Sequence, residues 1–170
     1  VDSRGVVRVS NASFTVRAGE IVGIAGVAGN GQSELLEAIA GMRHPALGSI
    51  RLEGRDIHSS EHNPHRLRQL GLLHVPEDRL RMGLVPAFPA FVSAILGFSD
   101  EPQLGRGPIL DNDRLIADLT KKMEQYDVRP PAPRLKSSKF SGGNQQKIVL
   151  AREIERHPKV LLVGQPTRGV

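Results

Sequence analysis

Apolar residues recur along this chain in two rhythms, period two and period 3.6, interrupted by short solid runs, and each rhythm predicts an element. RGVVRVSNASFTV (4–16) alternates apolar with polar positions and predicts two antiparallel strands that end at Ala18 and Gly19. EIVGIAG (20–26) is apolar without alternation, the pattern of a strand covered on both faces of a parallel sheet. A glycine-rich turn follows. SELLEAIAG (33–41) then places Leu35, Leu36 and Ile39 on one face of a helix, with Gly41 as its stop.

The same rhythms continue downstream. SIRLEGRDI (49–57) is strand-like with a turn at Gly54. HNPHRLRQLG (62–71) predicts a short helix closed by Gly71, and LLHV (72–75) a second buried strand. PEDRLRMGLVP (76–86) is a loop punctuated by Pro76, Gly83 and Pro86. A short helix is expected over 91–97, and Asp111 to Asp127 carries Leu115, Leu119, Met123 and Tyr126 at helical spacing, with Asp111 or Asn112 as cap. RPPAPRLKSSK (129–139) is a proline-rich connection. SGGNQQKIVLAREIERHP (141–158) reads as a turn and a helix ended by Pro158, and Val160 to Val163 as a third buried strand. Strands alternating with helices predict an α/β fold with parallel strands.

Composition narrows the picture. At 170 residues, 39% of them hydrophobic, the chain matches one ordinary domain. Cysteine is absent, which excludes disulfides and thiolate chemistry. The apolar patch AFPAFVSAILGF (87–98) is broken by Pro89 and is shorter than the roughly 20 residues of a membrane span. Nor does the start, VDSRG, read as a leader. The net charge of +5 is spread along the chain, with basic and acidic residues interleaved as in REIER (152–156), and aromatics make up 4%. That distribution predicts a solvated surface and no nucleic-acid partner. His62 and His65 in EHNPH are expected on a surface loop rather than around a metal.

One stretch carries candidate chemistry. GVAGNGQSE (26–34) follows an apolar run and opens a helix, the arrangement in which backbone N–H groups converge on a phosphate. Gly26, Gly29, Asn30, Gly31, Gln32, Ser33 and Glu34 are its residues, and Ser33 is a candidate metal ligand. Gln32 stands where a lysine normally reaches the phosphates. On these residues alone, an ordinary tight strand-to-helix turn remains an equal reading.

SGGNQQK (141–147) resembles the LSGGQ signature of the ABC-type ATPases, with Phe140 in place of the leading leucine. GEIVGIAG, VPEDRLRMGLV and QPTRG fall in the order that family shows, and the GGNQQK form is similar to the second ATPase half of fused subunits that drive bacterial monosaccharide and nucleoside importers. The resemblance implies a P-loop NTPase of RecA-like type, with an antiparallel β N-terminal part and an inserted helical subdomain. Residues 1–87 and 158–170 would form the core, 88–157 the helical part, and the final strands would be missing. It places the Walker A loop at Gly26 to Glu34 and the Q-loop position at Glu77. The signature falls on Ser141, Gly142, Gly143, Asn144 and Gln145, and the Walker B positions on Gly164 and Gln165, where the family carries Asp-Glu. The aromatic that stacks on adenine has no counterpart before Phe14.

Each departure subtracts charge. Gln32 lacks the cation, Gly164 lacks the carboxylate that holds Mg²⁺, and Gln165 orients a water without accepting its proton. The resemblance therefore implies ATP binding with Mg²⁺ weak or absent at this site and no catalytic residue of its own. The partners it implies are a second ATPase domain, fused in the same polypeptide, and transmembrane permease subunits, at the cytoplasmic face of the inner membrane. A domain that hydrolyses ATP unaided and a soluble non-transport ABC protein are the alternatives. Phe88, Phe91 and Phe98 are expected either in a groove for the permease or in the helical core, and Arg79 and Arg81 either on the permease or in solvent.

Overall fold

A computed structural model describes residues 5–27, 29–58, 61–106 and 109–165, and the chain divides into two compact units, Val1–Leu70 and Gly71–Val170. In the first unit, α1 (Gln32–Ile39) starts at Gly31 and ends at Ala40. A hairpin pairs β1 (Arg51–Leu52) with β2 (Arg55–Asp56), turning on Glu53 and Gly54, both at positive φ. Such a turn matches the natural twist of two strands. α2 (Pro64–Gln69) has proline in its first turn, and the Asn63 side chain accepts from Arg66 N–H at 2.9 Å. Ile57 and Leu67 are fully buried here.

The second unit holds the main core. β3 (Leu72–Val75), buried throughout, pairs in parallel with β6 (Val160–Val163), Leu72 opposite Val160 and Val75 opposite Val163. Between them run a π-helical turn at Arg79–Gly83, α3 (Ala90–Ser93), the short hairpin β4 (Gly105–Arg106) and β5 (Ile109–Leu110), α4 (Asn112–Gln125) and α5 (Gly142–Ile154). α4 buries Leu115, Leu119 and Met123, and α5 buries Ile148 and Val149. Val75, Leu84, Ala90, Phe91, Ile95, Val128 and Phe140 complete the cluster.

Three sequence expectations are corrected. The strands expected over 4–16 and 20–26 are not formed among the described residues 5–27, and Ile21 is 98% exposed. A period-two pattern provides a face to bury, but a strand forms only where it also pairs with a neighbouring strand. His62 is not on the surface but 3% exposed, its Nε2 3.0 Å from the Arg43 carbonyl and its ring 4.9 Å from that of His44 and 5.6 Å from that of His58. Among the described residues no group of histidine and acidic side chains could hold a metal. Finally, Arg152 and Glu153 of the REIER run are buried rather than solvated. Phe91 and Phe98 join the interior, whereas Phe88 is 45% exposed. No described helix is long and apolar enough to cross a membrane.

At the end of α4 the Tyr126 hydroxyl donates to Glu155 at 2.8 Å. Burial first, then this bond to a carboxylate, pushes the phenol up to about 12 from its ordinary 10. The folded chain thus holds its proton where the unfolded chain releases it. The resulting stabilisation is complete below about pH 10 and is lost as pH rises toward 12. This chain has one tyrosine and no tryptophan, so phenolate absorbance reports Tyr126 alone. We expect its midpoint near 12 in the folded protein and near 10 in urea; a folded midpoint near 10 would contradict the contact.

Candidate functional site

The glycine-rich turn lies in the first unit. Gly29 and Gly31 have φ of 90° and 98°, a left-handed backbone that favours glycine. A Cβ on Gly31 would strike the Arg8 carbonyl, so the chain passes too close there for any side chain. Asn30 N–H donates to Val27 O at 3.2 Å, tightening the turn, and Gly31 gives the helix start no side-chain cap. The Gln32 amide folds back onto its own loop: Nε2 donates to Val27 O at 3.1 Å and lies where a Cβ on Gly26 would be. Ser33 is exposed, and Glu34 lies 4.0 Å from Arg8. Left-handed glycines at 29 and 31, no room for a Cβ at Gly31, and a helix start without a side-chain cap fit a phosphate group.

The second unit brings Glu77, Gly164 and Gln165 together at the ends of β3 and β6. Gly164 N–H donates to Val75 O at 2.9 Å, continuing the parallel ladder one residue past β6. That pairing presses residue 164 against the backbone of Glu77, where a Cβ would stand 2.9 Å from the Glu77 nitrogen. Gln165, at φ 46°, donates from Nε2 to Glu77 Oε1 at 2.7 Å. Position 164 thus has no room for a side chain, and the one acidic side chain of this trio already accepts a hydrogen bond from Gln165. This strand end does not fit the aspartate that would hold Mg²⁺ there.

The third element is the start of α5. Ser141 is exposed and caps the helix, its Oγ accepting from Asn144 N–H at 3.4 Å and from Asn144 Nδ2 at 2.9 Å. Gly142 and Gly143 form the first turn, with no side chains to cover its N–H groups. Gln145 points the other way and is buried: its Nε2 donates to Ser137 O at 3.0 Å and its Oε1 accepts from Arg79 Nε at 3.2 Å. Arg79 therefore ties the turn after Glu77 to the helix start, while Arg81 is exposed.

Sequence reasoning missed two features. Arg152 lies seven residues after Gln145 and four after Ile148, on the helix face that packs inward; helical spacing could have found it. Its guanidinium donates to the carbonyls of Gly83 and Ser93 at 2.7 and 3.0 Å, and to Glu153 at 2.8 Å. The second is Arg129 N–H, which donates to Asn144 Oδ1 at 2.8 Å, a pairing across a loop that no spacing rule anticipates. Nearby, the Arg129 side chain, then Lys147, hold the Asp127 carboxyl below its ordinary range.

A parallel strand pair flanked by helices, a glycine turn opening a helix and a serine-capped Ser-Gly-Gly helix start define a nucleotide-binding cassette, and the sequence profile described as "ABC transporter" matches residues 9–168. The chain belongs to that family. It is 42% identical over 169 residues to the nucleoside import ATP-binding protein NupA of Lactococcus lactis, covering 99% of this chain and 33% of NupA. To the guanosine import ATP-binding protein NupO of Bacillus subtilis it is 41% identical, covering 99% of this chain and again 33% of the relative. The chain thus spans about a third of the length of these relatives. Among solved structures, the ADP- and Pi-bound dimer of the ATP-binding cassette MJ0796 superposes with a TM-score of 0.75 at 22% identity, over 96% of this chain and 68% of that one. This likeness establishes the ABC ATPase fold.

Proposed function

We propose that this chain is part of the degenerate half of an asymmetric ATPase pair that drives a sugar or nucleoside importer. It supplies its signature, Ser141 to Gln145, to the nucleotide held by a second ATPase domain in the same polypeptide. The observation that carries the reading is the contrast between the two ends of the second unit. The strand end offers Gly164, with no space for a metal-binding carboxylate, and Gln165, an amide. The helix start keeps an exposed, capped serine followed by two glycines. Phosphoryl transfer is catalysed by positioning and by charge stabilisation, and here the second of these is missing on one side only.

In this reading, residues 1–87 and 158–170 belong to the RecA-like core and 88–157 to the helical subdomain. The Gly26 to Glu34 loop binds ATP weakly through backbone N–H groups, with Ser33 as the one ligand for Mg²⁺. The metal, when bound elsewhere in such a pair, neutralises charge on the transferred phosphate. Leu80 and Phe88, large apolar side chains that are half exposed, suit contact with permease subunits at the cytoplasmic face of the membrane. The names of the relatives, import proteins for nucleosides and guanosine, support the solute class.

The test is a titration of a fluorescent ATP analogue onto the full-length domain with and without Mg²⁺. Weak binding that Mg²⁺ tightens less than about threefold is expected. Gly164→Asp is expected to leave this unchanged while lowering stability by about 1–3 kcal/mol, because the new side chain meets the Glu77 backbone. Tight, strongly Mg²⁺-dependent binding, together with phosphate release by the isolated domain, would instead establish a self-sufficient ATPase.

A further inference from the structure

This inference rests on the reading of Ser141 as the hydroxyl that meets a partner's phosphate. We propose that Asn144 is a positioning residue that fixes the direction of the Ser141 O–H and leaves its hydrogen pointing outward as a donor. The argument starts from Arg129, whose backbone N–H can only donate and lies 2.8 Å from Asn144 Oδ1. That contact orients the amide, oxygen toward Arg129 and nitrogen toward Ser141. Asn144 Nδ2 then lies 2.9 Å from Ser141 Oγ and donates to it, and the Asn144 backbone N–H approaches the same oxygen at 3.4 Å, also as a donor. A serine oxygen offers two lone pairs and one hydrogen. Both lone pairs face donors of residue 144, so the hydrogen remains for an outside acceptor, and Ser141 is exposed to meet one.

The anchor is itself held. Lys147, one turn into α5, donates to the Asp127 carbonyl at 2.7 Å, and the Arg129 side chain donates to Asp127 Oδ1 at 2.8 Å. The loop that carries Arg129 N–H is thereby tied to the helix that carries Asn144. The acceptor this polarity suits is an anionic oxygen, such as a terminal phosphate presented by another ATPase domain. A neutral amide at 144 sets that polarity, and a carboxylate of the same shape reverses it. In Asn144→Asp one oxygen still accepts from Arg129 N–H, but the other draws the Ser141 hydrogen inward.

The experiment measures steady-state hydrolysis of MgATP by the full-length polypeptide in its complete ATPase assembly, with the unfolding temperature of every variant. Ser141→Ala is expected to lower kcat about tenfold or more with KM nearly unchanged. Asn144→Asp is expected to lower kcat to a similar degree, and Asn144→Ala, which loses a donor without adding an acceptor, to lower it less. A residue that merely supported the fold would give the opposite order, since aspartate keeps the Arg129 contact and alanine does not. In the Ser141→Ala background, Asn144→Asp is expected to cost nothing further. An equal loss in that background means a direct charge effect on the nucleotide and overturns the inference. A normal kcat in Asn144→Asp beside a lowered one in Ser141→Ala overturns the inference alone. A normal kcat in Ser141→Ala overturns the reading of Ser141 and the inference with it.

Discussion

Ser141→Arg is expected to cut ATP turnover of the complete assembly by about 100-fold or more, beyond the roughly tenfold of Ser141→Ala, because it adds a bulky side chain to the loss of the hydroxyl donor. The substitution removes the hydroxyl and puts a long side chain on an exposed helix start where a second subunit would approach. Loss of the cap itself costs about 1 kcal/mol, too little to unfold the second unit, to whose core α5 contributes Ile148 and Val149, about two turns further along the helix. An unfolding curve beside the rate therefore separates the two effects. If the altered assembly turned over at the normal rate, the signature would have no role in trans and the proposed division of labour would fall.

The largest effect on stability is expected at Arg152. Arg152 is 2% exposed and Glu153 is fully buried, and the pair joins α5 to the turn at Gly83 and to the end of α3 at Ser93. Arg152→Met removes one charge and leaves Glu153 and the two carbonyls without that donor. The expected loss is about 3–5 kcal/mol, read from urea unfolding of the full-length domain. Replacing both members, Arg152→Met with Glu153→Leu, is expected to recover much of it, because two buried charges then no longer need each other. A loss below about 1 kcal/mol in the single variant would show that solvent reaches the guanidinium.

The second unit was largely legible in the sequence. Leu115, Leu119 and Met123 repeat at helical spacing and form the buried face of α4. LLHV and VLLV, solid apolar runs bounded by Gly71 and Pro158, pair as β3 and β6. Asp111, one of the two caps expected for α4, accepts from Arg114 N–H at 3.0 Å. The reading failed where an element depends on a partner. EIVGIAG has a pattern for a covered strand, yet it has no paired neighbour among the described residues. REIER has the composition of a solvated run, but the rotation of α5 turns Arg152 and Glu153 inward.

The candidate site divides in the same way. Residue types at fixed spacing pointed to the glycine turn, and the resemblance to the family's motifs to the Ser-Gly-Gly helix start and to the absence of acid at positions 164 and 165. Local chemistry could not say that Gly164 lies against Glu77, that Gln165 bonds to it, or that Arg129 orients Asn144. Those contacts join residues 15 to 88 positions apart. Backbone propensity and side-chain periodicity act within a few residues, so the sequence alone determined the helices, the solid apolar strands β3 and β6 and, through its motifs, the family. Which polar atoms meet across loops depends on how those elements pack, and only the tertiary structure decided it.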